Sequence, residues 1–226
     1  MAVLMTSTPR VPLLCAGDRL TRDEFERRYT AMPDLKKAEL VEGVVYMGSP
    51  VRHRQHGRPH ALLAGWLTRY EAHTPGLMTS DNASLRLDLD NELQPDLLLA
   101  LPQHAGGRLR VTQGGWLEGA PELVVEIAAS SASYDLHDKL RAYRRNGVRE
   151  YVVWRTEDQA IDWFSLEHGT YVEQHPVAGQ HRCRTFPGLW LHIDAALQGD
   201  VAALHAAVDA GCATAEHRAF LPTLSS

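Results

Sequence analysis

Pro121-Glu122-Leu123-Val124-Val125-Glu126-Ile127-Ala128 is the stretch on which the fold turns. Its β-branched content predicts a strand, yet two carboxylates stand inside an apolar run. Alternation puts Glu122, Val124, Glu126 and Ala128 on one face and Leu123, Val125 and Ile127 on the other. A buried carboxylate is costly unless it meets a cation or a metal ion. At ~3.3 Å per residue the two glutamates lie roughly 13 Å apart, so only one can reach a given ion. Glu126, deeper in the strand, is the expected partner of Asp96, with Glu122 at the entrance.

Downstream, Ser130, Ser131 and Ser133 are helix-initiating residue types, and an amphipathic helix is expected from about Tyr134 to a stop at Asn146-Gly147. Tyr151 to Trp154 follows at once as a strand. This strand-helix-strand step implies a right-handed parallel crossover and hence a mixed sheet. Tyr151–Trp154, Ile161–Leu166 and Tyr171–Glu173 read as a β-meander with turns at Glu157-Asp158 and His168-Gly169. Phe186-Pro187-Gly188 precedes a last strand, Leu189 to Ile193, and Ala195 to Ala215 is alanine-rich and helical.

Upstream, Thr21 and Glu24 fit a capping box for a short helix that ends at Met32-Pro33. Glu39 to Met47 reads as one strand. His56, His60, Leu63, Leu67 and Tyr70 form a helical stripe, with Pro59 near its start. Leu85, Leu87 and Leu89 alternate with polar residues, and the Asn91-Glu92 turn leads into Leu93–Leu101, an expected hairpin. Residues 102–120 hold five glycines and read as a long loop. The expected organisation is a leader over 1–19, one domain over 20–197 and a helical tail over 198–226.

With 226 residues, 44% hydrophobic and 23% charged, the chain can bury a sizeable core. A net charge of −5 removes the argument from a globally basic surface, so any nucleic-acid contact must be local. Two basic clusters offer it: Arg52, Arg54 and Arg58, and Lys139, Arg141, Arg144, Arg145 and Arg149. Taken alone, each reads first as a solvated helix face and second as a contact surface. Cys15, Cys183 and Cys212 are widely spaced, without the Cys-x-x-Cys pairs of a zinc or redox site. No apolar run approaches a membrane span, and no secretory h-region opens the chain, so a cytoplasmic location is expected.

Two carboxylates are what Mg²⁺ or Mn²⁺ prefers, and such ions polarise phosphate and lower the pKa of an attacking water. A lysine beside them can orient that water or offset transition-state charge. At about 100° per residue from Leu136, Lys139 falls at about 300°, bordering the buried stripe, with Asp135 one turn earlier. Lys139 is then able to turn toward the carboxylates as a site residue, or to run along the helix edge and pair with Asp135 or a sheet acid. His56, on a stripe with Leu63 and Leu67, reads first as a satisfied core or interface histidine and second as a site residue.

Ala38-Glu39-Leu40-Val41-Glu42-Gly43, His56-Gly57-Arg58, Pro95-Asp96, the 121–127 run, Asp135 with Lys139 and Tyr143, Gly147-Val148-Arg149-Glu150-Tyr151 and Phe186-Pro187-Gly188-Leu189 occur in that order. Over roughly Leu20 to Leu197 the chain thereby resembles the Uma-two family of restriction-endonuclease-like proteins. The resemblance implies a PD-(D/E)xK nuclease fold, an α/β (mixed α+β) architecture whose mixed central sheet is flanked by helices. It implies that Asp96 and Glu126 are the metal-binding acids and that the lysine has moved from strand to helix, here Lys139. Two departures stand out: Ala128 occupies the lysine position of an ordinary Glu-x-Lys motif, and Glu122 replaces the family's usual Asp. Glu39 matches an acid able to act as an outer-shell ligand, and Glu122, Asp135 and His56 complete the outer-shell candidates.

The expected function is a Mg²⁺- or Mn²⁺-dependent DNA endonuclease with catalytic residues Asp96, Glu126 and Lys139. A homodimer is plausible for an enzyme that cuts both strands. The alternatives are a catalytically silent module that binds nucleic acid or protein on the same fold, and a hydrolase of small phosphoesters.

Overall fold

A computed structural model describes residues 10–48, 50–129 and 134–225. The serines expected to start the helix after Glu126 lie outside the described residues. The first helix, α1 (Arg22–Thr30), starts after Thr21 as expected, but no side chain caps it. The Glu24 carboxylate instead binds Arg27 Nε at 2.7 Å and Arg28 Nε at 2.6 Å. The Glu39–Met47 strand is in fact a hairpin, β1 (Ala38–Val41) and β2 (Val44–Met47), turned at Glu42-Gly43 where both residues have positive φ.

A π-helical turn, His53–Gly57, runs into α2 (Arg58–His73), which has Pro59 in its first turn. Next come β3 (Met78–Asp81), β4 (Leu85–Asp88), β5 (Asn91–Leu93) and β6 (Leu97–Ala100). The hairpin expected across 85–101 exists only between β4 and β5, and Asn91 and Glu92 are strand residues rather than a turn. At Gln94-Pro95-Asp96 the chain leaves that sheet. Proline cannot donate to a ladder, and the Gln94 amide goes to the Glu39 side chain at 2.8 Å. β6 then joins a different sheet. Residues 102–120, read as loop, include the short strands β7 (Arg110–Val111) and β8 (Leu117–Glu118).

The deciding strand is β9 (Leu123–Ala128). A second π-helical turn, Asp135–Lys139, continues as α3 (Leu140–Arg145) and returns to β10 (Glu150–Arg155). β10 pairs parallel with β9, with Val153 opposite Glu126. The meander follows as β10, β11 (Ala160–Glu167) and β12 (Thr170–Gln174), all antiparallel. A small ribbon of β13 (Gln180–Arg182) and β14 (Trp190–His192) precedes α4 (Ile193–Gln198), α5 (Val201–Cys212) and α6 (Ala215–Phe220). The alanine-rich segment is thus three helices, broken where Gly199 takes a positive φ and where Asp200 and Thr214 cap the next helix.

One six-stranded sheet has the order β2-β1-β5-β4-β8-β7 and the other β12-β11-β10-β9-β6-β3. The alternation of β9 sorts its residues between two cores. Leu123, Val125 and Ile127 pack with Leu63, Trp66 and Leu67 of α2 and Leu204 and Val208 of α5. Val124 and Ala128 pack with Ala142 and Tyr143 of α3 and with Leu85 and Leu93 of the first sheet. Each fully buried Leu or Val adds about 1.5–3 kcal/mol of apolar transfer free energy. The second sheet is therefore held from both sides, which fixes the face on which Glu126 stands. No helix among the described residues is long and apolar enough to cross a membrane.

Candidate active site

The antiparallel register of β6 on β9 sets Leu97 opposite Val125 and Leu98 opposite Val124. One step further it sets Asp96 beside Glu126, at the open end of the second sheet. Asp96 Oδ2 accepts the Ile127 amide at 2.7 Å, which ties its carboxylate to β9. The π-helical turn before α2 brings His56 Nε2 to 3.1 Å from both Asp96 oxygens, and Lys37 Nζ lies 3.7 Å from Oδ1. Burial alone would raise the Asp96 carboxyl. The His56 hydrogen bond, the Lys37 charge and the Ile127 amide overcome it and hold the group at about 2.

Glu126 is 3% exposed, and both of its hydrogen bonds fall on Oε1: Lys139 Nζ donates at 2.9 Å and the Tyr143 hydroxyl at 2.8 Å. Among the described residues none bonds Oε2. Burial pushes its carboxyl up to about 8, with Asp96, Asp135 and Glu39 adding to the rise against the pull of Lys139.

Lys139 is 3% exposed and sits between Glu126, Glu39 at 3.1 Å and Asp135 at 3.5 Å. Burial opposes its charge, but the three carboxylates hold the ammonium well above the ordinary lysine value. The Tyr134 ring lies 5.4 Å from Nζ and is itself stacked on Tyr46. The inner face of this segment is Asp135, Lys139, Ala142 and Tyr143, while Leu136 and Leu140 are only half-buried. The stripe is rotated from the one expected because a π turn, with its i→i+5 bonding, advances less per residue than an α turn.

These groups line one cleft of about 680 Å³, which contains Lys37, Glu39, His56, Asp96, Glu126, Asp135 and Lys139. Glu122 is not among them. It is fully buried at the other end of β9, where Oε2 accepts the Leu101 amide at 2.8 Å, so its expected place at the entrance is corrected. Four residues apart on one strand face, the two glutamates are separated by most of its length. His56 contacts Asp96 directly, so of its two readings the structure places it in the cleft. Lys37 and Tyr143 were not anticipated as neighbours of the acids. Lys37 had a signal, since it stands two residues before Glu39 and alternation sends both to one side. Tyr143 stood with Asp135 and Lys139 among the residues of the resemblance, with no role assigned to it.

The fold and this cluster define a class: a restriction-endonuclease-like mixed α/β protein with an acidic cleft crossed by a helix-borne lysine. The chain belongs to the Uma2 family, whose model, described as "Putative restriction endonuclease", matches residues 22–195. Among solved structures, one similar to it is a putative nuclease belonging to DUF820 from Anabaena variabilis. The two align with a TM-score of 0.59 at 11% identity, over 76% of this chain and 97% of the other. At that identity the likeness speaks for the fold. No protein of curated function matches the chain.

Proposed function

We propose that this cleft hydrolyses phosphodiester bonds of DNA with a Mg²⁺ or Mn²⁺ ion held by Asp96 and Glu126. The observation that carries the reading is a charge imbalance. Asp96, Glu126, Glu39 and Asp135 face two ammonium groups, Lys37 and Lys139, in one buried cleft. Arg52 and Glu157 on the same lining cancel each other, which leaves a formal excess of two negative charges, and that excess adds to burial, the main cause, in raising the Glu126 carboxyl. The donor set fits the ion: hard carboxylate oxygens on the lining of one cleft, one of them the Glu126 Oε2 that no described residue bonds.

When bound, the ion would polarise the scissile phosphate and acidify a water beside it. The chain's own residues do the rest. The Ile127 amide and His56 fix the Asp96 carboxylate, and Tyr143 and Lys139 fix Glu126 through Oε1, leaving Oε2 for the cleft. Lys139 is held as a permanent cation by its carboxylates, so it is suited to offset charge that develops on the phosphate or to orient the water, not to take up a proton. Water adds to phosphorus, the ester P–O bond breaks, and the leaving oxygen gains a proton.

Cleavage of both strands of a duplex would call for two such clefts, which two copies of the chain would supply. A second reading, a binding module on the same fold, draws on one observation: the Lys139 ion pairs are closed on themselves and also serve as a structural device. Hydrolysis of a labelled duplex in Mn²⁺ separates the two. Asp96→Asn and Glu126→Gln are expected to lose at least ~10³-fold in rate, and Lys139→Met about 10²–10³-fold. Equal rates in wild type and Asp96→Asn would exclude the metal-dependent reading.

A further inference from the structure

The first basic cluster behaves differently from the second. Within the second, Lys139, Arg141 and Arg145 are ion-paired, to Glu126, Asp138, and Glu42 with Asp88 respectively, Arg144 donates to the Gly169 carbonyl at 2.9 Å, and Arg149 forms no ion pair with a described residue. Arg52, Arg54 and Arg58 form no ion pair with any described residue, and all three are exposed. They flank and occupy the π-helical turn whose inner side chain, His56, holds Asp96. The turn is anchored to the second sheet, since the Thr156 hydroxyl donates to the Gln55 carbonyl at 2.9 Å.

Two clefts open on either side of this turn. Arg52 and Gln55 line the large one with the acids, and Arg54 and Arg58 line a second one of about 250 Å³. The wall of the second includes Trp154, which is 3% exposed and whose indole Nε1 is buried without a hydrogen-bond acceptor. Arg58 Nη2 is steadied by the Gly199 carbonyl at 3.3 Å. Two guanidinium groups without an anionic partner on one small recess call for an acceptor-rich anion.

We propose that the turn is a phosphate rail. Arg54 and Arg58 seat one backbone phosphate of a nucleic-acid strand in the second cleft, and Arg52 directs the strand across the turn into the acidic one. The rail supplies the local positive charge that a chain of net charge −5 needs to approach a polyanion. It also offsets the repulsion that the acidic cleft would exert on phosphate. The proposal rests on reading the large cleft as a nucleic-acid site, but it concerns binding and does not require cleavage.

The test is fluorescence anisotropy of the full chain with a labelled 20-nucleotide single strand and the corresponding duplex, in EDTA, from 25 to 200 mM salt. R52A/R54A/R58A is compared with the control R141A/R145A, both checked for unaltered thermal unfolding. The triple variant is expected to bind at least ~10-fold more weakly at 50 mM salt. Its log–log salt slope should fall by about 1.5–2, near 0.7–0.9 for each of the two phosphates released. The control keeps wild-type affinity and slope. The rail is overturned if the triple variant keeps wild-type affinity and slope, if the control loses as much, or if the wild-type chain binds neither probe. Wild-type binding through the rail without metal-dependent hydrolysis would retain this proposal and remove the catalytic one.

Discussion

Lys139 is the residue on which both stability and chemistry converge. Its ammonium lies among Glu126, Glu39 and Asp135 with almost no water to screen it. Breaking a buried pair by removing one partner is far more costly than exchanging both for neutral groups. Lys139→Met is therefore expected to destabilise the metal-free protein by about 3–5 kcal/mol in urea unfolding. Lys139→Met with Glu126→Gln should recover part of that loss, with a coupling of at least ~1 kcal/mol. Additive losses would mean that the pair is not coupled. Glu126 was legible in the sequence because an acid inside an apolar strand is a local anomaly, and Asp96 because it stands between Pro95 and the apolar run that forms β6. Lys37 and the opposite fate of Glu122 were less so, since they depend on which end of β9 meets the open cleft.

At the scale of elements, two π-helical turns do similar work, one presenting His56 and the other Lys139 to a single cleft. A helical wheel drawn at 100° per residue misplaced the inner face of the second for that reason. The β9 pattern and the meander were legible because alternation is local. The exchange of sheets at Gln94-Pro95-Asp96 was not, because the Gln94 amide finds its partner 55 positions away, in Glu39. The polar edge strand β3 carried no alternation to read. Phe186-Pro187-Gly188 acquires a physical reason. A Cβ on Gly211 of α5 would stand 2.1 Å from the Gly188 carbonyl oxygen, and Gly188 itself has φ +91°. Gly211→Ala is expected to cost about 3 kcal/mol or more by overpacking, read from the urea midpoint. A change within ~0.5 kcal/mol would show that the two segments do not touch this closely.

For the whole molecule, the fold class was legible because the order of short segments reflects topology, whereas the packing of the C-terminal helices was visible only as alanine content. Leu204, Val208 and Leu224 enter the same core as β9 and α2. The ribbon beside them gives a pH response. His181 is 3% exposed, stacks on Trp163 at 5.2 Å, and is lowered to about 4 by burial and by the nearby His175 charge. The unfolded chain thus takes up this proton before the folded one, so the His181 contribution to stability is flat above about 6.5, falls as pH drops toward about 4 and levels below. The Glu126 and Glu92 carboxyls, raised to about 8, act in the opposite direction, so the readout is the difference in urea midpoint between wild type and His181→Gln, which should narrow as pH drops from about 6.5 toward about 4. An unchanged slope in the variant would place the acid sensitivity elsewhere.

Cation binding by the acidic pair is the claim on which the catalytic reading depends. Calorimetric titration of Mn²⁺ into the metal-free chain addresses it directly. Heat of binding is expected to saturate in the wild-type protein, to be lost in both Asp96→Asn and Glu126→Gln, and to be kept in Glu122→Gln. Equal binding by all four proteins, or none by the wild type, would contradict it.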